Sequence, residues 1–289
     1  MRGRARLLAD LATLAKLRIS ALSTLTAATG FLAASRALRP PLAATIAGTF
    51  LLAAAAAALN EILDRERDAR MLRTAARPIP AGRIGVPAAL GLALVAGGCG
   101  LGLLGGTAGA LPALLGLGAL AWYDAVYTPL KRVTAFAVLP GAVVGALPPA
   151  IGWTAAGGAL GDARLHAICA FLFLWQVPHF WLLAHRHAED YRRAGLPTPA
   201  SRFSPDQLGR IALTWTLATA ATAPLLSLFG VTRSAGAAFG LLAAAAMLGP
   251  PALALPRSAA RPEALARGFW AVNLFAVAVM LLVAADALR

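Results

Sequence analysis

Charged residues are scarce in this chain, and acidic residues are scarcer than basic ones. Charged side chains make up 13% of the 289 residues, and only 12 residues are Asp or Glu. Ordinary globular proteins carry about 25% charged residues, so the low share excludes a disordered chain, a coiled coil and almost any soluble enzyme. The 59% of hydrophobic residues and the mean hydropathy of +0.72 instead indicate a polytopic membrane protein.

Cysteine is also scarce. The chain has two cysteines, Cys99 and Cys169, and both lie inside apolar runs. No CxxC pair and no His/Cys cluster has the spacing of a metal site. Two thiols in separate buried helices are more often packing residues, so the sequence predicts neither a disulfide nor a thiolate metal centre.

Apolar runs of about 17–25 residues, the length that crosses a bilayer, predict nine membrane-spanning helices. The runs lie at 19–36, 41–59, 86–105, 107–123, 135–151, 165–184, 210–230, 234–256 and 268–288. Residues 5–19 precede them as a short amphipathic helix with Leu7, Leu8, Leu11 and Leu14 on its apolar face. We therefore expect an all-α fold and a single integral-membrane domain over residues 1–289, with residues 1–18 as a surface segment.

Lysine and arginine are divided unevenly between the two sides that nine spans define. The side of the N-terminus carries 21 of the 26 basic residues, and the other side carries five. The positive-inside rule therefore predicts a cytoplasmic N-terminus and an external C-terminus, in the cell (inner) membrane. The net charge of +14 is on this interpretation a topology signal, and we expect no nucleic-acid partner.

Acidic residues concentrate on three of the predicted cytoplasmic loops, and the first of these carries a regular pattern. Asn60, Asp64 and Asp68 are spaced four residues apart, so they share one face if the second span continues as a helix. Carboxylate and amide oxygens are the ligands that Mg²⁺ prefers. Arg73 and Arg77 follow, and guanidinium groups bind phosphate oxygens in pairs. The pattern predicts a magnesium-diphosphate site, and the alternative is a solvated loop with surface ion pairs.

The second and third loops add further candidates. Lys131 and Arg132 lie beside Tyr127, where they are placed to close over a diphosphate or to anchor the chain at the interface. Gln176 and His179 lie late in the sixth span, at a depth where ionisable residues are usually functional, although a lone histidine is also found as a satisfied interfacial residue. Pro178 between them predicts a kink in that helix, and Asp190 is placed to complete a second metal site.

These residues resemble the motifs of a known family. Asn60, Asp64 and Asp68, followed by Met71, Arg73, Thr74, Arg77 and Pro78, resemble the first motif of intramembrane prenyltransferases of the UbiA superfamily. Three later segments resemble the branch that farnesylates protohaem IX. They are YTPLKRVT at 127–134, GALPPAIGW at 145–153, and PHF at 178–180 with DYRRAG at 190–195.

The resemblance implies a helical bundle around a central cavity that opens sideways to the lipid bilayer. Farnesyl diphosphate and protohaem IX would be the substrates, Mg²⁺ the cofactor and haem A synthase a possible partner. Metal ligands would be Asn60, Asp64, Asp68 and, for a second ion, Asp190. Catalytic residues would be Asp64, Asp68, Lys131, Arg132 and Asp190, and substrate-binding residues Asn60, Arg73, Arg77, Tyr127, Gln176, His179 and Tyr191.

The chain departs from the family pattern in places. The family's opening Lys-Pro-Arg is Lys16-Leu17-Arg18 here, and Arg186 stands where a full DxxxD before Asp190 would need an acid. Candidates to complete the second metal site are therefore His187, Glu189 and His179. Two other functions stay open at this point: a related prenyltransferase for an aromatic acid, quinone precursor or chlorophyll-like ring, and a secondary transporter of an anionic amphiphile.

Overall fold

The computed structural model describes residues 2–258 and 261–289, and every regular element in these ranges is a helix. The α-helices are α1 (Arg2–Leu14), α2 (Leu17–Ser35), α3 (Pro41–Asp68), α4 (Val86–Ala108), α5 (Ala110–Ala121), α6 (Thr128–Leu130), α7 (Val138–Ala155), α8 (Ala163–Arg186), α9 (Ala188–Arg193), α10 (Pro205–Leu228), α11 (Ala235–Ser258) and α12 (Pro262–Ala287). A π-helix, Trp122–Tyr127, joins α5 to α6, and a 3₁₀ turn, Pro199–Ser201, precedes α10.

Nine helices in the described part of the chain are long and apolar enough to cross a membrane, which confirms the predicted number. The second span is longer than the apolar run alone, because α3 continues as a regular helix to Asp68. The fourth span runs over Ala110–Leu130 and includes the π-helix. Pro178 lies inside α8, which stays helical on both sides of it.

Close packing of α2 against α7 forms the centre of the bundle. The span of α7 has the largest buried share, 61%. A Cβ atom on Gly152 would lie 1.8 Å from the backbone oxygen of Ala27, and one on Gly30 would lie 2.2 Å from that of Pro149. The two backbones therefore touch, as small residues permit between membrane helices. Helix α7 also packs against α5 and α8, and α12 packs against α2, α8 and α11.

Polar contacts close the bundle at the end where α2 and α12 finish. Arg36 donates to the backbone oxygen of Val231 at 2.6 Å and faces Asp286 at 3.5 Å. Asp286 also accepts from the backbone N–H groups of Arg233 and Ser234. These bonds tie α2, α12 and the α10–α11 connection together, and the cavity described below lies at the opposite end.

The N-terminal segment differs from the single helix expected over 5–19. Helix α1 ends at Leu14, and α2 begins at Leu17 after a break at Lys16, whose φ of 45° and ψ of 52° are left-handed. Leu14 is buried against α3 and the loop after it. Asp10 forms a bidentate ion pair with Arg83, at distances of 2.7–3.0 Å. Helix α1 is therefore joined to the 69–85 loop as well as to α2.

Candidate active site

An open cavity lies at the end of the bundle where α3 and α8 finish, with about 1010 Å³ of empty space when its open mouth is included. Its wall includes the break before α2, the last turns of α3, the π-helix and the segments that follow α6 and α9. The polar and charged residues of the wall are Lys16, Asn60, Asp64, Asp68, Arg73, Arg77, Tyr123, Tyr127, Lys131, Thr134, Tyr191 and Thr198. The apolar ones include Ile19, Met71, Val138, Phe180, Trp181, Ala184 and Leu196.

The spacing of Asn60, Asp64 and Asp68 places all three on one face of α3, as predicted, and each is at least 95% buried. A basic side chain contacts each of the three. Lys16 Nζ donates to Asn60 Oδ1 at 2.9 Å, Lys131 Nζ pairs with Asp64 Oδ2, and Arg77 Nη1 pairs with Asp68 Oδ2 at 2.6 Å. The charge of the two carboxylates is thus neutralised within the site.

The orientation of the Asn60 amide follows from its neighbours. The Thr128 hydroxyl donates to the backbone oxygen of Tyr123 at 2.9 Å, so it accepts from Asn60 Nδ2, also at 2.9 Å. The same Nδ2 lies 3.2 Å from Asp64 Oδ2. The amide oxygen must therefore be the atom that faces Lys16, because both neighbours of Nδ2 are acceptors.

The donor set on α3 suits Mg²⁺ better than a softer metal. Two carboxylates and one amide oxygen face the cavity, and all are hard oxygen ligands. In the described residues, no group of three or more His, Cys, Asp or Glu side chains could hold a metal ion unaided. A magnesium ion at this place therefore needs water and phosphate oxygens to complete its shell, which is its usual behaviour in proteins.

Aromatic rings form the wall next to the charged end. The rings of Tyr123 and Tyr127 stack with centroids 5.5 Å apart, and the Phe180 ring lies 6.1 Å from Tyr127. The ammonium of Lys131 lies 5.5 Å from the Tyr127 centroid. The π-helix carries both tyrosines to the cavity, which fits the frequent occurrence of π-bulges at functional sites.

Two carboxylates, one partly exposed and one fully buried, hold the 69–85 loop, which carries Arg73 and Arg77. Asp190 accepts from the backbone N–H groups of Leu72 at 2.9 Å and Arg73 at 3.4 Å. Fully buried Glu61 accepts from the backbone N–H of Ile79 at 3.1 Å. Asp190 is not part of the cavity wall, so its predicted role as a second metal ligand stays a prediction, and the structure gives it a different contact.

Three other predicted site residues also lie outside the cavity wall. Arg132 donates to the backbone oxygen of Leu63 at 2.8 Å and to Asp64 Oδ1 at 3.3 Å, so it holds the Asp64 carboxylate from outside the cavity. Gln176 lies directly against Gly145, where α8 packs on α7. His179 faces α12, with Nδ1 2.7 Å from Asn273 Oδ1.

The alternative candidates for a second metal site are not gathered at the cavity. Glu189 forms exposed ion pairs with Arg192 and Arg193, and these pairs lower the pKa of its carboxyl to about 2. Burial together with nearby Arg73 and Arg186 lowers the pKa of His187, so its ring is neutral at physiological pH. Neither residue belongs to the cavity wall.

Sequence reasoning missed Lys16 and Thr128. Thr128 lies in the YTPLKRVT segment but carries no charge to mark it, and its partner Asn60 is 68 residues away. Lys16 was assigned to the surface helix. Burial and the nearby charges of Arg77 and Lys131 lower the pKa of its ammonium to about 7. Burial likewise raises the pKa of Tyr191.

The comparisons with known proteins agree on one family. The sequence model of the UbiA prenyltransferase family matches residues 22–274. The protoheme IX farnesyltransferase of Geobacter sulfurreducens is 48% identical over 217 residues, which cover 74% of this chain and 79% of that protein. The enzyme of the same name from Oleidesulfovibrio alaskensis is 37% identical over 284 residues, which cover 96% of this chain and 95% of that protein.

Solved structures show the same fold at lower identity. A digeranylgeranylglyceryl phosphate synthase structure superposes with a TM-score of 0.77 at 13% identity, covering 97% of this chain and 98% of that one. A UbiA homologue from Archaeoglobus fulgidus, solved with GPP and Mg²⁺, has a TM-score of 0.66 at 15% identity, covering 95% of this chain and 99% of that one.

Proposed function

Because this chain belongs to the UbiA prenyltransferase family, we propose that it transfers a farnesyl group from farnesyl diphosphate to a vinyl group of protohaem IX, giving haem O and diphosphate. The observation that carries the diphosphate part is the cavity wall itself. Four cationic and two anionic side chains line one end, and an apolar, aromatic wall adjoins them. The acceptor is inferred from what the curated relatives are called.

The charged end is proposed to bind the leaving diphosphate. Asp64 and Asp68, with Asn60, would hold Mg²⁺, which neutralises charge that develops on a diphosphate as it leaves. Arg77 and Lys131 reach the same place from the 69–85 loop and the segment after α6. The Arg73 side chain lines the cavity and has no ion-pair partner among the described residues, so its guanidinium is available for phosphate oxygens.

The aromatic wall is proposed to receive the prenyl group. When the C–O bond of farnesyl diphosphate breaks, its electron pair leaves with the diphosphate and an allylic cation remains. The faces of Tyr123, Tyr127 and Phe180 carry the negative side of the ring quadrupole, which attracts a cation. Apolar neighbours such as Val138 and Trp181 keep water from the cation before the acceptor attacks.

The acceptor step accounts for the remaining atoms. The electrons of a haem vinyl group form the new C–C bond with the farnesyl cation, and positive charge moves to the vinyl carbon next to the porphyrin ring. Water adds there and releases a proton, which gives a hydroxyethylfarnesyl side chain. Tyr191 and Gln176 stay predicted substrate contacts, the first in the cavity wall and the second behind it.

His179 is proposed to contact the haem. Asn273 Nδ2 donates to the backbone oxygen of Phe269 at 2.6 Å, so Asn273 Oδ1 must accept from His179 Nδ1. A neutral ring with a proton on Nδ1 keeps a lone pair on Nε2, which is the state of a histidine that binds a metal. His179 lies beside Phe180, whose ring belongs to the cavity wall.

The membrane placement is proposed from the charge distribution. Nine apolar helices fit a multi-pass membrane protein, and the basic residues concentrate on the side that holds the cavity. We therefore place the N-terminus and the cavity at the cytoplasmic face of the cell (inner) membrane. A haem A synthase that takes up the product stays a predicted partner.

Substitution of the two carboxylates tests the assignment. In a host that lacks its own haem O synthase, we expect the unaltered chain to produce haem O, as measured by mass spectrometry of membrane haems. Asp64→Ala and Asp68→Ala should abolish that product while the protein still inserts. Glu66→Ala is the matched control, because Glu66 lies on the same helix with its side chain 72% exposed.

Two outcomes would contradict the proposal. Normal haem O production by either aspartate variant would remove the carboxylates from the mechanism. A different prenylated ring in place of haem O, made by the unaltered chain, would keep the family and replace the acceptor.

A further inference from the structure

Lysine is rare in this chain, and both lysines lie in the same place. Of the 26 basic residues, only Lys16 and Lys131 are lysines. Arginine serves at every other basic position, including those that anchor loops at the membrane surface. Both lysines line the cavity, although 115 positions separate them in the sequence. A lysine offers a compact ammonium that rotates freely, whereas the arginine fork is larger and planar.

The backbone at Lys16 is unusual as well. Its φ of 45° places a residue with a Cβ in the left-handed region, which is uncommon and costs energy. Residues held in this region cluster at functional sites. The break turns the chain from α1 into α2, and it directs the Lys16 side chain towards α3 rather than to the membrane surface, where the neighbouring Arg18 lies exposed.

Lys16 differs from the other basic residues that contact the Asn60–Asp64–Asp68 face of α3. Lys131 and Arg77 neutralise Asp64 and Asp68, which carry full negative charges. Lys16 instead faces the neutral amide oxygen of Asn60, so its protonated form has no counter-ion in direct contact among the described residues. An ammonium in a cavity wall without a counter-ion binds an anion favourably, because the anion replaces lost hydration.

We propose that Lys16 is a diphosphate-binding residue of this site, which leaves Asn60 and pairs with a phosphate oxygen when the metal-bound diphosphate enters. The proposal rests on the proposed function, because it assumes a prenyl diphosphate in the cavity. Once the Lys16 ammonium pairs with a phosphate oxygen, the Asn60 amide oxygen would be free to bind the metal. Lys16 would thus join Arg73, Arg77 and Lys131 as a fourth cation at the diphosphate, and it comes from the N-terminal segment.

Amine labelling tests this on the unaltered protein. Lys16 and Lys131 are the only side-chain amines, so acetylation by acetic anhydride can be read at each by mass spectrometry. Purified protein in detergent is labelled with no addition, with Mg²⁺ alone, with farnesyl diphosphate alone, and with both. With both present at about ten times the dissociation constant, we expect labelling of Lys16 to slow by about tenfold, and Mg²⁺ alone should not protect it.

The two lysines separate failure of this proposal from failure of the proposed function. Protection of Lys131 without protection of Lys16 would show that diphosphate binds in the cavity and would overturn the role of Lys16. Protection of neither lysine would overturn both proposals. Protection of Lys16 by farnesyl diphosphate in a protein that makes no haem O would leave the Lys16 proposal standing and remove the haem acceptor.

A pair of variants adds a quantitative check. Lys16→Gln should weaken Mg²⁺-dependent binding of farnesyl diphosphate by about tenfold, the effect of one charge-assisted hydrogen bond. Arg18→Gln removes the same charge two residues away and should leave binding unchanged. The proposal would be overturned if Lys16→Gln bound farnesyl diphosphate as tightly as Arg18→Gln and the unaltered protein do. If Lys16→Gln does not fold, Lys16→Arg keeps the charge, and a purely structural role predicts that its binding equals that of the unaltered protein, whereas a compact ammonium site predicts weaker binding.

Discussion

Removal of the Asp190 carboxylate should loosen the 69–85 loop without removing a metal ligand. Asp190 accepts one well-formed hydrogen bond from Leu72 and a longer one from Arg73. A hydrogen bond to a charged group contributes about 1.5–3 kcal/mol, and partial exposure of Asp190 favours the lower end of that range. Since about 1.4 kcal/mol corresponds to tenfold in an equilibrium constant, Asp190→Ala should weaken farnesyl diphosphate binding by about tenfold, through disorder of Arg73 and Arg77.

The assay separates this role from metal binding. Binding of farnesyl diphosphate is titrated at saturating Mg²⁺, and Mg²⁺ is then titrated at saturating farnesyl diphosphate. We expect Asp190→Ala to change the first titration and to leave the second near that of the unaltered protein, with faster amide hydrogen exchange at Leu72 and Arg73. Asp190→Asn keeps one acceptor oxygen and should show a smaller loss. Asp206→Ala, an exposed acid in the first turn of α10, is the control.

The reasoning would be refuted by the opposite pattern. A direct metal ligand, once removed, raises the Mg²⁺ requirement strongly, because outer partners of a ligand already change metal affinity by about 10–100-fold. If Asp190→Ala raised the Mg²⁺ needed for half-saturation to that extent while amide exchange in the loop stayed unchanged, Asp190 would be a second-site ligand, as the sequence pattern suggested.

Two further predictions concern the packing of the bundle and the attachment of α1. Gly152→Ala should lower the melting temperature or abolish folding, because its Cβ meets the backbone oxygen of Ala27 at 1.8 Å, while Gly118→Ala, with nothing within 4 Å, should be neutral. Asp10→Asn should speed hydrogen exchange over α1 by breaking the pair with Arg83. That pair lowers the pKa of the Asp10 carboxyl, so its contribution is present above the usual aspartate pKa of 3.8 and is lost as the pH falls further. Equal exchange by variant and unaltered protein at neutral pH would contradict it.

Hydropathy was sufficient to predict the number of spans, because a bilayer requires long apolar helices whatever their neighbours are. The four-residue spacing from Asn60 to Asp68 was sufficient to place three side chains on one face of α3. The break at Lys16 was not predictable in this way. The left-handed residue contacts α3, which is far away in the sequence, and no glycine or asparagine marks the break.

The π-helix and the contact of Asp190 were hidden for a related reason. Trp122–Tyr127 looks in the sequence like an ordinary end of an apolar helix, and its packing against α3 and α7 involves residues distant in the sequence. Asp190 is an acid near a predicted metal site, so the sequence offers metal ligation as its simplest role. The structure adds a contact that the sequence does not reveal, because the backbone of a loop more than 100 residues earlier presents two N–H groups to Asp190.

The arrangement of charges bears on how the site fills. Asp64 is paired with Lys131 and Arg132, and Asp68 with Arg77, so a magnesium ion that entered alone would leave partly buried cations without partners. Such unpaired charges are costly away from water. A diphosphate that entered alone would meet the two carboxylates. If both entered together, Asp64 and Asp68 would hold the metal, and the cavity-wall cations Lys131 and Arg77 would pair with phosphate oxygens, so that these charges would keep partners. Joint entry of metal and diphosphate is therefore the favourable path, and the few acids of this chain are as necessary to it as the surplus of bases.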